Sequence, residues 1–334
     1  DKVYFHGNNK TPRELSEALD LRIGRIIVDN VQELRLLNEL CAQKGMKAQI
    51  SVRVKPGVDA HTHDFIKTGQ IDSKFGVALE NGEVYEFAEM AKRFENIELV
   101  GLHCHIGSQI FERGPFIETA QIMLDLIAEL KEKYGLIITE LNLGGGFGIR
   151  YTSEDDPLEY DQFIKSVSET VKKNCKAKGI GQPFMLMEPG RSIAAPAGIT
   201  LYTVGNVKDI KGVRKYVSVD GGMFDNPRYA LYGAKYTFVL ANRAGDDKDQ
   251  TVTVAGKCCE SGDLIGSGVE LPEARPGDIM AVLATGAYNY SMSMNYNRNG
   301  RPPMVLVKDG KARIIVKGED YEDLVRNDVI PPDL

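Results

Sequence analysis

Three short runs in this 334-residue chain gather residue types that do chemistry: "GLHCHIGSQI" (101–110), "LNLGGGFGIR" (141–150) and "MLMEPGR" (185–191). In an extended strand, alternation puts His103 and His105 on one face and Cys104 on the other. An H-x-H pair on a barrel strand is one way to hold a metal, as in metal-dependent hydrolases. The five histidines count against it, because the other three are His6, His61 and His63 and none follows His105. Zinc hydrolase sites draw on several histidines from separate strands, so Asp29 or Glu188 would have to complete the set. The glycines Gly144, Gly145 and Gly146 can serve close packing or bring backbone N–H groups to an anion. Their spacing is not G-x-G-x-x-G, and no Gly-Lys-Ser/Thr follows, so neither the dinucleotide fingerprint nor a P-loop applies. Arg191 adds a bidentate contact suited to phosphate.

These residues need elements to carry them. "TPRELSEAL" reads as a helix with Thr11 as N-cap, Pro12 at the first position and Glu14 completing a capping box. Apolar strands centred near residues 3, 26, 50, 100, 140 and 185 alternate with amphipathic helices, among them "VQELRLLNELCAQKG", "GEVYEFAEMAKRF" and "FIETAQIMLDLIAELKEKYG". That alternation predicts a parallel sheet covered by helices. "KPGVDAHTHDFIKTGQIDSKFG" reads as a polar loop. After about Pro196 the pattern changes to short strands ("TLYTVGNVKDI", "KYVSVDGG", "TVTVAGKCC", "DIMAVLAT", "PMVLVKDGKARIIVKG") and a last helix, "YEDLVRND". The expected organisation is a β/α domain over 1–196 and a β-rich domain over 197–334. A net charge of −6 favours neither nucleic acid nor an anionic membrane as partner. No apolar run nears the roughly 18 residues of a membrane span. An odd, irregularly spaced set of five cysteines fits reduced thiols and a cytoplasmic setting.

The strand ends line up the polar residues: His6 and Asn8, Asp29, Arg53, His103 and His105, Asn142, then Glu188 and Arg191. In β/α barrels the active site lies at that edge, and the loops after strands seven and eight commonly hold phosphate. If two strands precede the first one here, "GGGFG" and "EPGR" follow those two strands. A carboxylate beside a phosphate-binding arginine then has a role if the ligand carries a pyridine ring. Glu188 keeps the ring nitrogen protonated and an imidazole stacks on the ring, which together point to pyridoxal phosphate.

"HGNNKT", "GLHCHIGSQI", "LNLGGGFGI", "EPGRSI", "DGGMFDNPRYALYGA", "GKCCESGD" and "ATGAYNYSMSMNYN", in that order over the chain, closely resemble the diaminopimelate decarboxylases. That family consists of fold-type III pyridoxal-phosphate enzymes, with a (β/α)8 barrel followed by a β domain. The resemblance implies that His105 stacks on the cofactor ring, Ser108 lies near the phosphate, Gly144 to Gly146 and Arg191 hold it, and Glu188 pairs with the ring nitrogen. It implies that Arg191, Arg228 and Tyr232 grip substrate carboxylates, Glu260 binds the distal ammonium, and Tyr288 touches phosphate or substrate. Cys259 would deliver the proton to the carbanion left by CO2. Alternation on a strand lets only one of the two cysteines face a site, so Cys258 reads as a buried strand thiol. The implied reaction converts meso-2,6-diaminopimelate to L-lysine. The implied assembly is a homodimer in which Cys259 and Glu260 reach the partner's active site.

The family also carries its cofactor as a Schiff base on a lysine of the first barrel strand, in a stretch like Tyr-Ala-x-Lys-Ala-Asn. This sequence contains no such stretch and starts at what would be the third strand. The expectation is a fragment lacking the first two β/α units, which binds the cofactor weakly and does not turn over as written. Lys10 and Lys55, at strand ends on the correct edge, are the substitutes to consider. The competing functions are a decarboxylase of another basic amino acid and a non-catalytic homologue that binds partners.

Overall fold

The computed structural model describes residues 2–58 and 71–333, so His61 and His63 lie outside the described residues. The chain divides into two compact units, Asp1–Gly148 with Pro157–Gly190 and Ile149–Asp156 with Arg191–Leu334. The changeover at Gly190 falls a few residues before the change of character near Pro196. The segment 149–156 crosses to the second unit without any compositional signal.

The first unit alternates β1 (Tyr4–Phe5), α1 (Pro12–Asp20), β2 (Arg25–Val28), α2 (Val31–Lys44), β3 (Ala48–Lys55), β4 (Val77–Ala78), α3 (Glu83–Arg93), β5 (Ile97–His103), α4 (Gly114–Tyr134), β6 (Glu140–Asn142), α5 (Tyr160–Lys178) and β7 (Phe184–Leu186). All six expected strands form, and every pairing is parallel in the order β1-β2-β3-β5-β6-β7. The strand β4 is an addition: the two residues just after the stretch read as a polar loop pair with Val54 and Lys55. Local signals set the helix ends as expected. Thr11 and Glu14 form the capping box of α1, and Gly45 and Gly135 close α2 and α4 in the left-handed conformation. The strands bury both faces, with Ile50, Leu102 and Leu141 fully inaccessible, and each such side chain contributes about 1.5–3 kcal/mol of hydrophobic stabilisation.

Register then positions chemistry. Arg53 pairs with His103, His103 with Asn142, and Asn142 with Leu186. Side chains in one row of a parallel sheet leave on the same side, so these polar groups share a face at the C-terminal ends of their strands.

In the second unit, α6 (Arg191–Ala194) leads into a six-stranded sheet. Its strands are β8 (Thr200–Ile210), β9 (Arg214–Val219), β10 (Phe238–Leu240), β11 (Gln250–Ala255), β12 (Leu264–Leu271) and β13 (Ile279–Val282), in the order β10-β13-β8-β9-β11-β12. Between them lies α7 (Arg228–Tyr232), and α8 (Asn289–Met292) follows. A hairpin of β14 (Met304–Lys308) and β15 (Lys311–Val316) and a short α9 (Tyr321–Val325) complete it. Two of these strands, β10 and β12, have no counterpart in the sequence reading. The expected strands "KYVSVDGG", "TVTVAGKCC" and "DIMAVLAT" are each shorter than read. β11 stops at Ala255, so neither Cys258 nor Cys259 lies on a strand, and alternation does not sort them. The chain turns there because the Gly256 N–H donates to the Asp263 carbonyl, while the Asp263 carboxylate accepts from the backbone of Met223 (2.6 Å) and Cys258 (2.7 Å).

Candidate active site

In the first unit the strand-end residues converge on Glu188. His6 Nε2 lies 2.8 Å from Oε1, His103 Nε2 lies 3.2 Å from Oε2, and Asn142 Nδ2 donates to Oε1 at 2.8 Å. The Asn142 amide is oriented by its other end, since Oδ1 accepts the Gly144 N–H at 2.9 Å. Burial pushes the Glu188 carboxyl up, but the hydrogen bonds from His103 and His6 outweigh it and hold the group well below the usual carboxylate range. Burial pushes His103 the other way and keeps it neutral despite Glu188. Glu188 is therefore an anion held by hydrogen-bond donors.

His105, next on that face, is half-buried. Burial, reinforced by the Arg53 charge, lowers it to about 4. Its Nδ1 accepts the Gly145 N–H at 3.3 Å, which places the ring's own proton on Nε2. The glycine run is thus partly explained by packing. A Cβ on Gly145 would stand 2.1 Å from the Glu188 carbonyl oxygen, and Gly144 has φ +69° against Cys104 and His105. The N–H groups of Gly144 and Gly145, expected at a phosphate, are spent on Asn142 and His105.

Lys10 is no free amine. Its Nζ bonds Glu33 at 2.6 Å and the carbonyls of Ile27 and Gly7, each at 2.8 Å, in a buried ion pair. Lys55 Nζ reaches the carbonyls of Ile71 (3.1 Å) and Ser73 (3.4 Å).

The second unit assembles a different cluster. Arg191 and Arg228 are both buried. Arg191 stacks over the Tyr288 ring at 4.7 Å, and Arg228 lies 5.5 Å from the same ring. Both donate to the hydroxyl of Tyr151, and Arg228 also donates to Tyr236 at 2.7 Å. Tyr288 holds φ +70°, a strained backbone of the kind that concentrates at functional sites. Tyr232 ends α7 with its side chain partly exposed. On the turn after β11, Cys259 is exposed, with Sγ 3.6 Å from Asn297 Oδ1, and Glu260 accepts from the Tyr296 hydroxyl. Cys258 is half-buried, and burial together with Asp263 raises its thiol to about 11.

A family profile described as "Pyridoxal-dependent decarboxylase, pyridoxal binding domain" matches residues 1–195. The diaminopimelate decarboxylase of Bacillus subtilis (strain 168) is 50% identical over 329 residues, covering 98% of this chain and 75% of the relative. The chain belongs to the diaminopimelate decarboxylase family. The corresponding enzyme of Staphylococcus aureus (strain COL) is 44% identical over 98% of this chain and 76% of its own. Among solved structures, diaminopimelate decarboxylase from M. jannaschii in complex with L-lysine superposes with a TM-score of 0.91 at 37% identity, over 99% of this chain and 75% of that one. Family membership makes the protein a pyridoxal-phosphate-dependent carboxy-lyase with the fold-type III architecture of a parallel β/α barrel sheet and a separate β-rich sheet.

The residues fit that cofactor. An ionised carboxylate held by three N–H donors suits a protonated ring nitrogen, and a neutral imidazole beside it suits stacking. His6, His103 and Glu188 also bring ligand atoms within 4.8 Å of one another, as a metal site would. Asn142, however, points an amide hydrogen at the same carboxylate, which serves an anion and opposes a metal cation. Sequence reading placed His6 and Asn142 at the right edge without a role, and it missed Tyr151, Tyr236 and Asn297. Tyr151 lies three residues after Gly148 of the glycine-rich run, and that proximity was the available signal.

Proposed function

We propose that the protein decarboxylates meso-2,6-diaminopimelate to L-lysine and CO2. The observation that carries this reading is the pair of buried arginines on one tyrosine. Such a pair is a strong carboxylate site, and diaminopimelate keeps one carboxylate after losing the other. A decarboxylase of ornithine-like amino acids has no second carboxylate to place there.

Bound pyridoxal phosphate supplies the electron sink for the pair left at Cα when CO2 departs. Glu188 would accept a hydrogen bond from the protonated ring nitrogen and keep the proton on that nitrogen, and His105 would stack on the ring. Ser108, the glycine turn 144–146 and Arg191 take the phosphate. With the amides of Gly144 and Gly145 engaged, the turn's share falls to Gly146. Arg228 and Tyr232, with Arg191, orient the carboxylates, Glu260 takes the distal ammonium, and Tyr288 backs the guanidiniums. Cys259 donates the Sγ proton to Cα, and its exposure supports a role toward a second copy. The working form is a homodimer in which Cys259 and Glu260 serve the partner's site. Among the described residues no helix is long and apolar enough to cross a membrane, and the reading places the enzyme in the cytoplasm.

The test is lysine and CO2 release from meso-diaminopimelate with added pyridoxal phosphate. Cys259→Ala is expected to lower turnover on the order of 10²–10⁴-fold, the usual worth of a general acid. Release of cadaverine from lysine with no lysine from diaminopimelate would replace the reading with a basic-amino-acid decarboxylase.

A further inference from the structure

Tyr151 sits on the segment Ile149–Asp156 and is buried within the second unit. Its hydroxyl oxygen accepts from Arg191 Nη1 at 2.7 Å and from Arg228 Nη1 at 3.3 Å. The two guanidiniums also lie 5.7 and 5.4 Å from its ring centroid. The residue itself is anchored. Its carbonyl accepts from Thr237 Oγ1 at 2.7 Å, its N–H donates to Asp155 at 3.0 Å, and its ring packs edge-on against Tyr236 at 5.4 Å.

Two buried cations sharing one acceptor repel each other, and each has left water. Among the described residues Arg228 forms no ion pair with a carboxylate; its polar contacts are the phenols of Tyr151 and Tyr236. Neutral phenols do not cancel that charge. A phenol oxygen offers two acceptor sites and one O–H. The arginines occupy both acceptor sites, which frees the Tyr151 proton to face whatever anion the arginines hold. Next to the cluster, Asn289 Oδ1 is 3.3 Å from the Tyr236 hydroxyl, and its buried Nδ2 has no acceptor among the described residues.

We infer that Tyr151 is a positioning residue for the retained carboxylate of the substrate. Its hydroxyl sets the separation and orientation of Arg191 and Arg228 so that both address one carboxylate, and its own proton completes the set of donors. The inference rests on the functional reading above and adds a residue to it.

The test uses the pyridoxal-phosphate-loaded protein and two probes, titrated by calorimetry. Pimelate is a seven-carbon dicarboxylate without amino groups, and cadaverine is a five-carbon diamine without carboxylates. Tyr151→Phe keeps the ring and removes only the oxygen. It is expected to weaken pimelate about tenfold, the loss of a hydrogen bond to charged groups, with cadaverine affinity unchanged. With diaminopimelate, KM rises by a similar factor. Unchanged pimelate affinity overturns the inference. So does an equal loss for both probes with a lower melting temperature, because that marks simple packing. Failure of the functional reading looks different: the wild type forms no lysine yet still binds pimelate through the Tyr151 hydroxyl, which supports the carboxylate site and removes only its substrate.

Discussion

Glu188, His105 and Asp225 show three outcomes of one contest between burial and hydrogen bonding. At Glu188 the donors win and the carboxylate stays ionised. At Asp225 burial wins, raising it from 3.8 to about 6 although Tyr202 and the Gly222 N–H donate to it. At His105 burial and Arg53 act together and lower it from 6.5 to about 4. The signs of their effects on stability follow from linkage. His105 contributes stability that is present above 6.5 and lost as pH falls toward about 4. Asp225 contributes stability that is present below 3.8 and lost as pH rises through about 6. The two slopes oppose each other across that window. Asp225→Asn removes one of them, so its melting temperature is expected to drop more on acidification through that range than that of the wild type, as scanning calorimetry would show; parallel curves would refute this account. Glu188→Gln keeps the shape but not the charge, and turnover is expected to fall on the order of 10²-fold or more, with the protein still folded by circular dichroism. Residue chemistry was legible in the sequence where type and strand-end position coincided, as at Glu188 and His105. Tyr151 was not, because its partners lie 40 and 77 residues away and only folding brings them to it.

At the scale of elements, the first unit was readable because each strand and helix carries its own punctuation, such as the Thr11–Glu14 box and the glycines after α2 and α4. The second unit hid β12 behind two glycines. Gly266 is there because the Phe238 ring of β10 packs on it: a Cβ would come within 2.8 Å of that ring. A feature that reads as a strand breaker is a packing device, and it shows only when both strands are in place. The aromatic trio of α4, the glycine turn and α5 makes the reverse point. Phe116 stacks on Phe147 at 5.0 Å, and both meet Phe163 at 5.3 Å. Phe147 belongs to "GGGFG", so this core contact also holds the turn that touches His105. Phe116→Ala is expected to cost about 3–5 kcal/mol in urea denaturation and to weaken cofactor binding; a loss below about 1 kcal/mol would mean that the trio repacks without strain.

For the whole molecule, the proposed dimer makes a quantitative demand. If Cys259 serves the partner's site and Glu188 its own, a Glu188→Gln subunit and a Cys259→Ala subunit each supply what the other lacks. Random reassociation of equal amounts gives half heterodimers, each with one complete site, hence about one quarter of wild-type activity. Recovery to that level after mixing two inactive variants supports the shared site, and no recovery refutes it. The change from long helices to short strands along the chain was legible in the sequence. The return of 149–156 to the second unit was not, since nothing in its composition differs from a loop. That return limits how the protein can be recombined. The chain passes between units after Gly148, after Asp156 and after Gly190. A chimera that joins residues 1–190 of this protein to the remainder of a relative would import both arginines from one parent and the tyrosine between them from the other. Any two parents whose spacing differs at that hydroxyl would give well-folded hybrids with a misaligned grip on substrate, so a viable exchange has to transplant two separate stretches of gene at once.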